Sequence, residues 1–300
     1  MTTFASPVDT DTYGEYAITR RPDDDRPLYR FTGRISDDDS TPYPAEAGRY
    51  HVYAGLFCPW AQRVTLTVEL AGLRDSVSVS YVDNARDGRG WAFREAIGPD
   101  PVNDFALLRD AYEATEPGFD GHISVPTLWD RTSGRVISND FATIDRDLAS
   151  RTAGIAGPDR IELYPAEKRA EIDRLEEWLR PTVNSTVGSA TGSGPDAAQA
   201  SATLQTALAA LDERLTGSRF LIDDQVTLAD VRLWVSLVRY DAAAARSGAP
   251  RLAEHPHVWR YARELYALPA FAGTTDFPSF GGTDAVAEDW RSGAEHGVPA

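Results

Sequence analysis

Residues 50–71 read YHVYAGLFCPWAQRVTLTVELA, and this stretch decides the fold. The β-branched and aromatic residues at 50–56 predict a strand, and the pattern at 61–71 predicts a helix. Pro59 suits the first turn of that helix, where its missing N–H costs no hydrogen bond. Cys58 is therefore expected where a strand meets the positive N-terminal end of a helix, an environment that lowers the pKa of a thiol.

This position makes Cys58 a candidate nucleophile or thiol-exchange centre, because the thiolate is the reactive form of cysteine. The alternative is that Cys58 is a small buried apolar residue. It is the one cysteine of the chain, which excludes an internal disulfide framework and a metal site built from several cysteines. The five histidines are scattered without zinc-ligand spacing, so we expect no metal.

The sequence after this stretch continues an alternation of strand and helix signals. The predicted elements are a strand at 77–82, an irregular insertion at about 83–123 with a helical stretch at 104–115, a strand at 125–129, its hairpin partner at 135–138, and a helix that runs to 148. Asn139 and Asp140 would cap that last helix.

Changes in composition along the chain predict four regions. They are an extended arm at 1–48, an α/β domain at 49–150, an all-helical domain at 160–272 and a tail of low pattern at 273–300. The stretch 150–160 is rich in Gly and Pro, as linkers are. In the helical domain, Thr227 and Asp230 have the spacing of a helix capping box, with Asp in place of the usual Glu.

The charge balance argues against two classes of partner. The 300 residues include 30 basic and 46 acidic side chains, a net charge of −16, whereas nucleic acids and anionic membranes attract basic proteins. No apolar run reaches the ~18 residues of a membrane-spanning helix, and residues 1–29 show no apolar core of a secretory signal. We expect no nucleic acid, no membrane and a cytoplasmic location, where a lone thiol stays reduced.

Several short strings occur in a family-specific order. They read GRYHVY at 48–53, CPWAQR at 58–63, GWAF at 90–93, LR at 108–109, VPTLWD at 125–130, SND at 138–140, LYP at 163–165, TLADVRL at 227–233 and LVRYD at 237–241. With them the chain resembles the glutathione transferase superfamily, and specifically its xi class, the glutathionyl-hydroquinone reductases, related to omega-class transferases. The resemblance spans roughly residues 27–272.

The resemblance implies the glutathione transferase fold, an α/β thioredoxin-like domain followed by an all-α domain, usually as a homodimer. It implies that Cys58 attacks the sulfur of a glutathionyl-hydroquinone or mixed disulfide and that a second thiol molecule regenerates it. The thiol would be glutathione or another low-molecular-weight thiol such as mycothiol. The residues that match the family's thiol site are Trp91, Arg109, Val125, Pro126, Asn139 and Asp140, and our candidates for contact with the aromatic or disulfide substrate are Trp60 and Tyr240.

The resemblance also makes Pro126 a candidate cis-proline. The backbone of Val125, the residue before it, would pair with a peptide-like thiol. Each site residue has a plainer alternative. Pro126 could be an edge-strand proline, Trp91 a core residue, Arg109 a surface charge and Asp140 a helix cap.

Departures from the family pattern fall mostly on the acceptor side. Gln62 stands where the family has His, Asp140-Phe141 stands for Glu-Ser, and the run Ala242–Ala245 replaces a Tyr. The thiol site is therefore expected to be partly kept and the acceptor site remodelled. Two other functions stay open: conjugation or isomerisation of a specialised metabolite by an enzyme of this fold, and non-catalytic binding.

Overall fold

A computed structural model describes residues 2–18 and 25–292. The chain forms two compact units, Met1–Arg160 and Ile161–Ala300. Residues 19–24 of the predicted arm and 293–300 of the predicted tail lie outside the described residues.

The first unit is built around a mixed β-sheet. Its helices and strands are α1 (Thr10–Tyr13), β1 (Tyr50–Ala54), α2 (Pro59–Leu70), β2 (Val77–Tyr81), α3 (Leu108–Thr115), β3 (Thr127–Asp130), β4 (Arg135–Ser138) and α4 (Phe141–Ser150). The strand order is β2-β1-β3-β4, with β1 parallel to β2 and antiparallel to β3. The α/β thioredoxin-like fold is thus confirmed, with α3 beginning later than the predicted 104–115 stretch.

The pairing of β1 with β3 brings two distant chain segments together. Tyr53, near the end of β1, is opposite Thr127, the first residue of β3. Because the two strands are antiparallel, the residues after β1 and those before β3 lie at the same end of the strands. Cys58 and Val125 are therefore neighbours although 67 positions separate them.

All residues of β1 are buried, so it is a central strand covered on both faces. Helix α2 packs against α4. This packing holds the N-terminal end of α2 in place beside the C-terminal end of β1.

The N-terminal arm is fixed to the insertion by a buried carboxylate. Asp87 is fully buried and accepts hydrogen bonds from the backbone N–H of Asp9 (3.1 Å) and from the Arg89 guanidinium (2.7 Å). Arg89 also donates to the Pro7 carbonyl (2.9 Å), and its guanidinium lies 3.9 Å from the centre of the Tyr13 ring. The hydrogen bond from Arg89 holds the pKa of Asp87 well below its usual range, so the pair stays charged.

A later part of the arm runs along the edge strand β4. The N–H of Gly33 donates to the Ile137 carbonyl (2.7 Å), and Phe31 and Asn139 are joined by two hydrogen bonds. In one, the Asn139 N–H donates to the Phe31 carbonyl; in the other, the Phe31 N–H donates to Asn139 Oδ1. These contacts cover backbone groups that an edge strand would otherwise leave unpaired.

The second unit is helical in its described residues. Its α-helices are α5 (Arg169–Leu179), α6 (Val187–Ala190), α7 (Ala197–Arg214), α8 (Leu228–Ser247), α9 (Pro256–Tyr266), α10 (Pro269–Gly273) and α11 (Asp284–Ser292), and a π-helical segment, Arg180–Asn184, follows α5. Most of α8 is buried, which makes it the central helix of this unit.

The start of α8 confirms the predicted capping box. The fully buried Asp230 carboxylate accepts hydrogen bonds from the backbone N–H of Thr227 (2.7 Å), from the N–H of Leu221 (2.9 Å) and from the Tyr261 hydroxyl (3.0 Å). A buried carboxylate with this many donors joins the helix start to a loop and to α9.

The predicted tail, 273–300, contains the helix α11, which the sequence pattern did not indicate. Trp290 in this helix is fully buried, and its indole N–H donates to Asp241 (2.9 Å). Its ring lies edge-on to Trp234 and Trp259, with centroids 5.9 and 5.1 Å away. A helix of 9 residues between Gly-rich segments is too short for a clear periodic signal, so the sequence pattern did not reveal it.

We predict that Trp290→Ala lowers the free energy of unfolding by about 3–5 kcal/mol, the usual cost of removing a fully buried Trp side chain. The measurement is urea denaturation followed by circular dichroism. Trp178→Ala is the matched control, because Trp178 is among the exposed large hydrophobic residues of the same unit and should cost much less. Equal losses in the two variants would contradict a structural role for α11.

We also predict that stability falls in mild acid because of His51. Its ring nitrogens bond Ser78 (2.7 Å) and Ser80 (2.9 Å), and burial lowers its pKa to about 3. The folded pKa is below the unfolded value of about 6.5, so the stability is complete above pH ~6.5 and is lost as pH falls toward 3. This group alone should remove about 2 kcal/mol between pH 7 and pH 5.

The check is a set of urea titrations at pH 7, 6 and 5 on the wild type and on His51→Gln. The variant keeps hydrogen-bonding groups but has no titrating ring, so its stability should change with pH by about 2 kcal/mol less. An unchanged pH slope in the variant would show that the pKa of His51 is the same in the folded and unfolded states, and would contradict this prediction.

Candidate active site

Cys58 is the residue that precedes the first turn of α2. Its backbone is extended (φ −90°, ψ 118°) and its N–H donates to the Gly55 carbonyl (3.0 Å). Pro59 takes the first helical position, as predicted. The side chain is largely buried, and Sγ lies 3.5 Å from the Val125 carbonyl oxygen as a hydrogen-bond donor.

The Val125–Pro126 peptide bond is cis, as predicted. It immediately precedes β3, whose pairing with β1 fixes it beside Cys58. The sulfur of Cys58 and the backbone of Val125 thus face the same space, where an extended thiol peptide could pair with the backbone and present its sulfur to Cys58.

Trp91 stands on the insertion side of this site. Its ring stacks on Phe57, the neighbour of Cys58 in the chain, with centroids 4.4 Å apart. The Arg86 guanidinium lies 4.4 Å from the centre of the Trp91 ring and 4.2 Å from the centre of the Tyr16 ring. The arm therefore supplies an aromatic side chain, Tyr16, beside the candidate thiol site. The Arg86 guanidinium lies against the rings of both Tyr16 and Trp91.

Tyr16 also contacts the segment that leads to Val125. Its hydroxyl is 3.1 Å from His122 Nδ1 and accepts a hydrogen bond from the Ile123 N–H (3.3 Å). Burial lowers the pKa of His122, and the charge of Arg86 lowers it further, which favours a neutral ring. Tyr16 therefore joins the arm to the residues just before the cis peptide.

Tyr29 is a second arm residue that contacts the segment before the cis peptide. Its ring meets His122 edge-on at 5.6 Å. Burial raises the pKa of Tyr29, and the negative charge of a nearby Cys58 thiolate adds to that rise. Tyr16, Tyr29 and Arg86 were not predicted as site residues, because contacts between an arm and an insertion leave no local signal in the sequence.

Asp140 follows β4, the edge strand farthest from β2, and lies at the start of α4. One carboxylate oxygen accepts a hydrogen bond from the Ala142 N–H (3.1 Å), which makes Asp140 the N-cap of the helix. The helix start, with its partial positive charge, is also suited to a ligand carboxylate. Capping and ligand binding are compatible, because a carboxylate can accept several hydrogen bonds.

Three other predicted residues occupy distinct surroundings. Asn139 is buried and its oxygen accepts from the Phe31 backbone. Trp60 stacks on Phe141 at 4.7 Å. Arg109 is half-buried in the first turn of α3, and its side chain forms no ion pair with the described part of the chain.

Tyr240 requires a correction. It is a core residue of α8, 1% exposed, and not a side chain that reaches a substrate. Its hydroxyl donates to the Pro250 carbonyl (2.6 Å) and accepts from Gln205 (2.7 Å). The polar tip that suggested a substrate contact is used to satisfy neighbouring groups in the interior.

Neither a metal site nor a membrane span is found in residues 2–18 and 25–292. No group of three or more His, Cys, Asp and Glu side chains there could hold a metal ion. No helix there is both long and apolar enough to cross a membrane.

A thioredoxin-like unit with a cysteine at the start of α2 beside a cis-proline, followed by a helical unit, defines a glutathione transferase type of protein. Sequence comparison agrees: the family model "Glutathione S-transferase, N-terminal domain" matches residues 57–151, and the corresponding C-terminal domain matches 194–264. The chain belongs to the glutathione S-transferase family.

Within that family, the similar proteins point to one group. The chain is 35% identical over 239 residues to the glutathionyl-hydroquinone reductase PcpF of Sphingobium chlorophenolicum, covering 77% of this chain and 76% of the relative. The xi transferase from Phanerochaete chrysosporium is 31% identical with a TM-score of 0.77, over 85% and 90% of the two chains. The glutathione-bound structure of YqjG from Escherichia coli K-12 is 30% identical with a TM-score of 0.76, over 83% and 85%.

Asp140→Asn separates the two possible roles of this residue. Asn caps a helix as well as Asp does, so the free energy of unfolding should change by less than about 0.5 kcal/mol. The Asp140 carboxylate would accept a hydrogen bond from the amino group of S-methylglutathione. Loss of the charge should therefore weaken binding of this ligand by about five- to twentyfold. Titration calorimetry and urea denaturation are the two measurements.

Asp196→Asn is the control, because Asp196 precedes α7 and its substitution makes the same change of charge. That variant should bind S-methylglutathione as the wild type does. If Asp140→Asn also binds normally, Asp140 serves as a cap alone.

Proposed function

We propose that this protein is a cysteine-type, glutathione-dependent transferase and reductase that removes glutathionyl groups from glutathionyl-hydroquinones or mixed disulfides. The observation that carries this proposal is the position of Cys58, at the N-terminal end of α2 with its sulfur 3.5 Å from the Val125 carbonyl. Relatives named as glutathionyl-hydroquinone reductases support the same reaction.

In the first step, the Cys58 thiolate attacks the sulfur of the glutathionyl group. A disulfide bond forms between Cys58 and glutathione, while the bond from that sulfur to the hydroquinone carbon, or to the other sulfur of a mixed disulfide, breaks. The leaving group keeps the bonding electron pair, takes up a proton and departs as a hydroquinone or a free thiol.

In the second step, the thiolate of another glutathione attacks the glutathione sulfur of this disulfide. Glutathione disulfide leaves and the Cys58 thiolate returns. The substrate gains two electrons, and glutathione supplies them. Because Cys58 is the one cysteine of the chain, the intermediate has no internal resolving thiol and needs this external one.

The surrounding residues would hold the thiol peptide in place. The backbone of Val125 would pair with its cysteinyl unit, and Asp140 with the start of α4 would take its γ-glutamyl end. Trp91, stacked on Phe57, would form a wall on the other side. Arg109 would contribute a positive charge from the first turn of α3.

The surroundings of Trp60 bear on the aromatic substrate. Phe141 replaces the family's hydroxyl and stacks on Trp60, and the Arg63 guanidinium lies 4.7 Å from the centre of the Trp60 ring. Trp60 could therefore meet a hydroquinone ring along its edge. Family resemblance also supports a homodimer, and the lone thiol supports a cytoplasmic location; light scattering tests the first.

We predict that Cys58→Ser lowers turnover of a glutathionyl-hydroquinone at least about 1,000-fold, because a serine hydroxyl cannot take part in thiol exchange. Wild type incubated with glutathione disulfide should gain the mass of one glutathionyl group, and excess glutathione should remove it. Intact-protein mass spectrometry checks both steps, with iodoacetamide-blocked wild type as a control.

Binding of S-methylglutathione should survive in Cys58→Ser, which shows that the variant is folded. If the variant turns over the adduct at the wild-type rate, the assignment of Cys58 as the nucleophile is wrong.

A further inference from the structure

Arg86 is a positive side chain that the proposed reaction does not yet use. Its guanidinium lies over the rings of both Trp91 and Tyr16, 4.4 and 4.2 Å from their centres. Two aromatic surfaces restrict the side chain, so less conformational entropy remains to be lost when it binds a ligand.

The carboxylates next to Arg86 in the chain are bound elsewhere. Asp87 pairs with Arg89 at 2.7 Å, and Asp83 pairs with Arg94 at 3.1 Å. Arg86 itself forms no ion pair or hydrogen bond with a residue of 2–18 or 25–292, and its positive charge acts on His122. Within these residues, the charge of Arg86 is thus available to an anion from outside the protein.

The sheet places Arg86 and Asp140 on opposite sides of the thiol. Arg86 follows β2, at one edge of the order β2-β1-β3-β4, and Asp140 follows β4 at the other edge. Cys58 and Val125 lie between them, after β1 and before β3. A thiol peptide can extend across the ends of these strands, from β4 toward β2. With its sulfur at Cys58 and its amine at Asp140, its other end then lies on the side of Arg86.

We propose that Arg86, held by Tyr16 and Trp91, binds the carboxylate at the C-terminal end of the thiol co-substrate. This inference rests on the proposed function and names the class of thiol: a γ-glutamyl peptide that ends in a carboxylate. Glutathione and γ-glutamylcysteine have that group, whereas mycothiol, a sugar-linked cysteine without a free carboxylate, does not. Arg86 is thus a specificity residue, and the arm is part of the binding site.

The test compares two ligands that cannot exchange with Cys58, S-methylglutathione and its glycine ethyl ester. Arg86→Gln should raise the Kd of S-methylglutathione about five- to tenfold and leave that of the ester within about twofold. The ester should bind wild type more weakly than the free acid by a similar factor. Titration calorimetry at low and high salt gives the values, and the loss should shrink as salt increases.

Arg74→Gln is the matched control, because Arg74 is an exposed arginine of the same unit that pairs with Glu69. It should bind both ligands as the wild type does. Arg86→Lys keeps the charge without the planar group and should recover part of the affinity. Equal weakening of acid and ester by Arg86→Gln would overturn the proposal, since it would assign Arg86 to packing alone, and so would unchanged binding of the acid.

Failure of this inference can be told apart from failure of the proposed function. If mycothiol disulfide modifies Cys58 while glutathione disulfide does not, the reaction stands and the assignment of Arg86 is wrong. If no low-molecular-weight disulfide adds a thiol to Cys58 of the full-length chain, the proposed function itself is wrong.

Discussion

The antiparallel pairing of β1 with β3 is the constraint on which the candidate site depends. It sets Tyr53 opposite Thr127 and so joins the segment after one strand to the segment before the other. Cys58 and Val125 meet for this reason, although 67 positions separate them in the chain. A shift of one residue in this register would turn Thr127 to the other face and separate the sulfur from the cis peptide.

The parts of the fold that the sequence predicts are those with local causes. The strand at Tyr50–Ala54, Pro59 in the first turn of α2, the hairpin before Ser138 and the cap at Asp140 each depend on a few adjacent residues. The cis bond before Pro126 is an exception, because family resemblance and not local chemistry indicated it.

The parts that escaped prediction are made by contacts distant in sequence. Tyr16 touches Arg86 and Ile123, and the second of these is 107 residues away in the chain. Trp290 is buried against helices that no pattern in its own segment identifies. Tyr240 illustrates the opposite error, since its polar tip suggested a ligand contact whereas the backbone of Pro250 and the side chain of Gln205 satisfy it internally.

The anchoring of the arm on Asp87 has a consequence for synthesis. Asp9 and Asp87 are 78 residues apart in the chain. Because ribosomes add ~5–20 residues per second, Asp87 is synthesised about 4 to 16 s after Asp9. Until then, nothing on the insertion can hold Tyr16 in place. The thiol site is therefore completed only after the chain has grown well past Cys58, and a folding domain fused before the arm would have formed first and could alter how the arm docks.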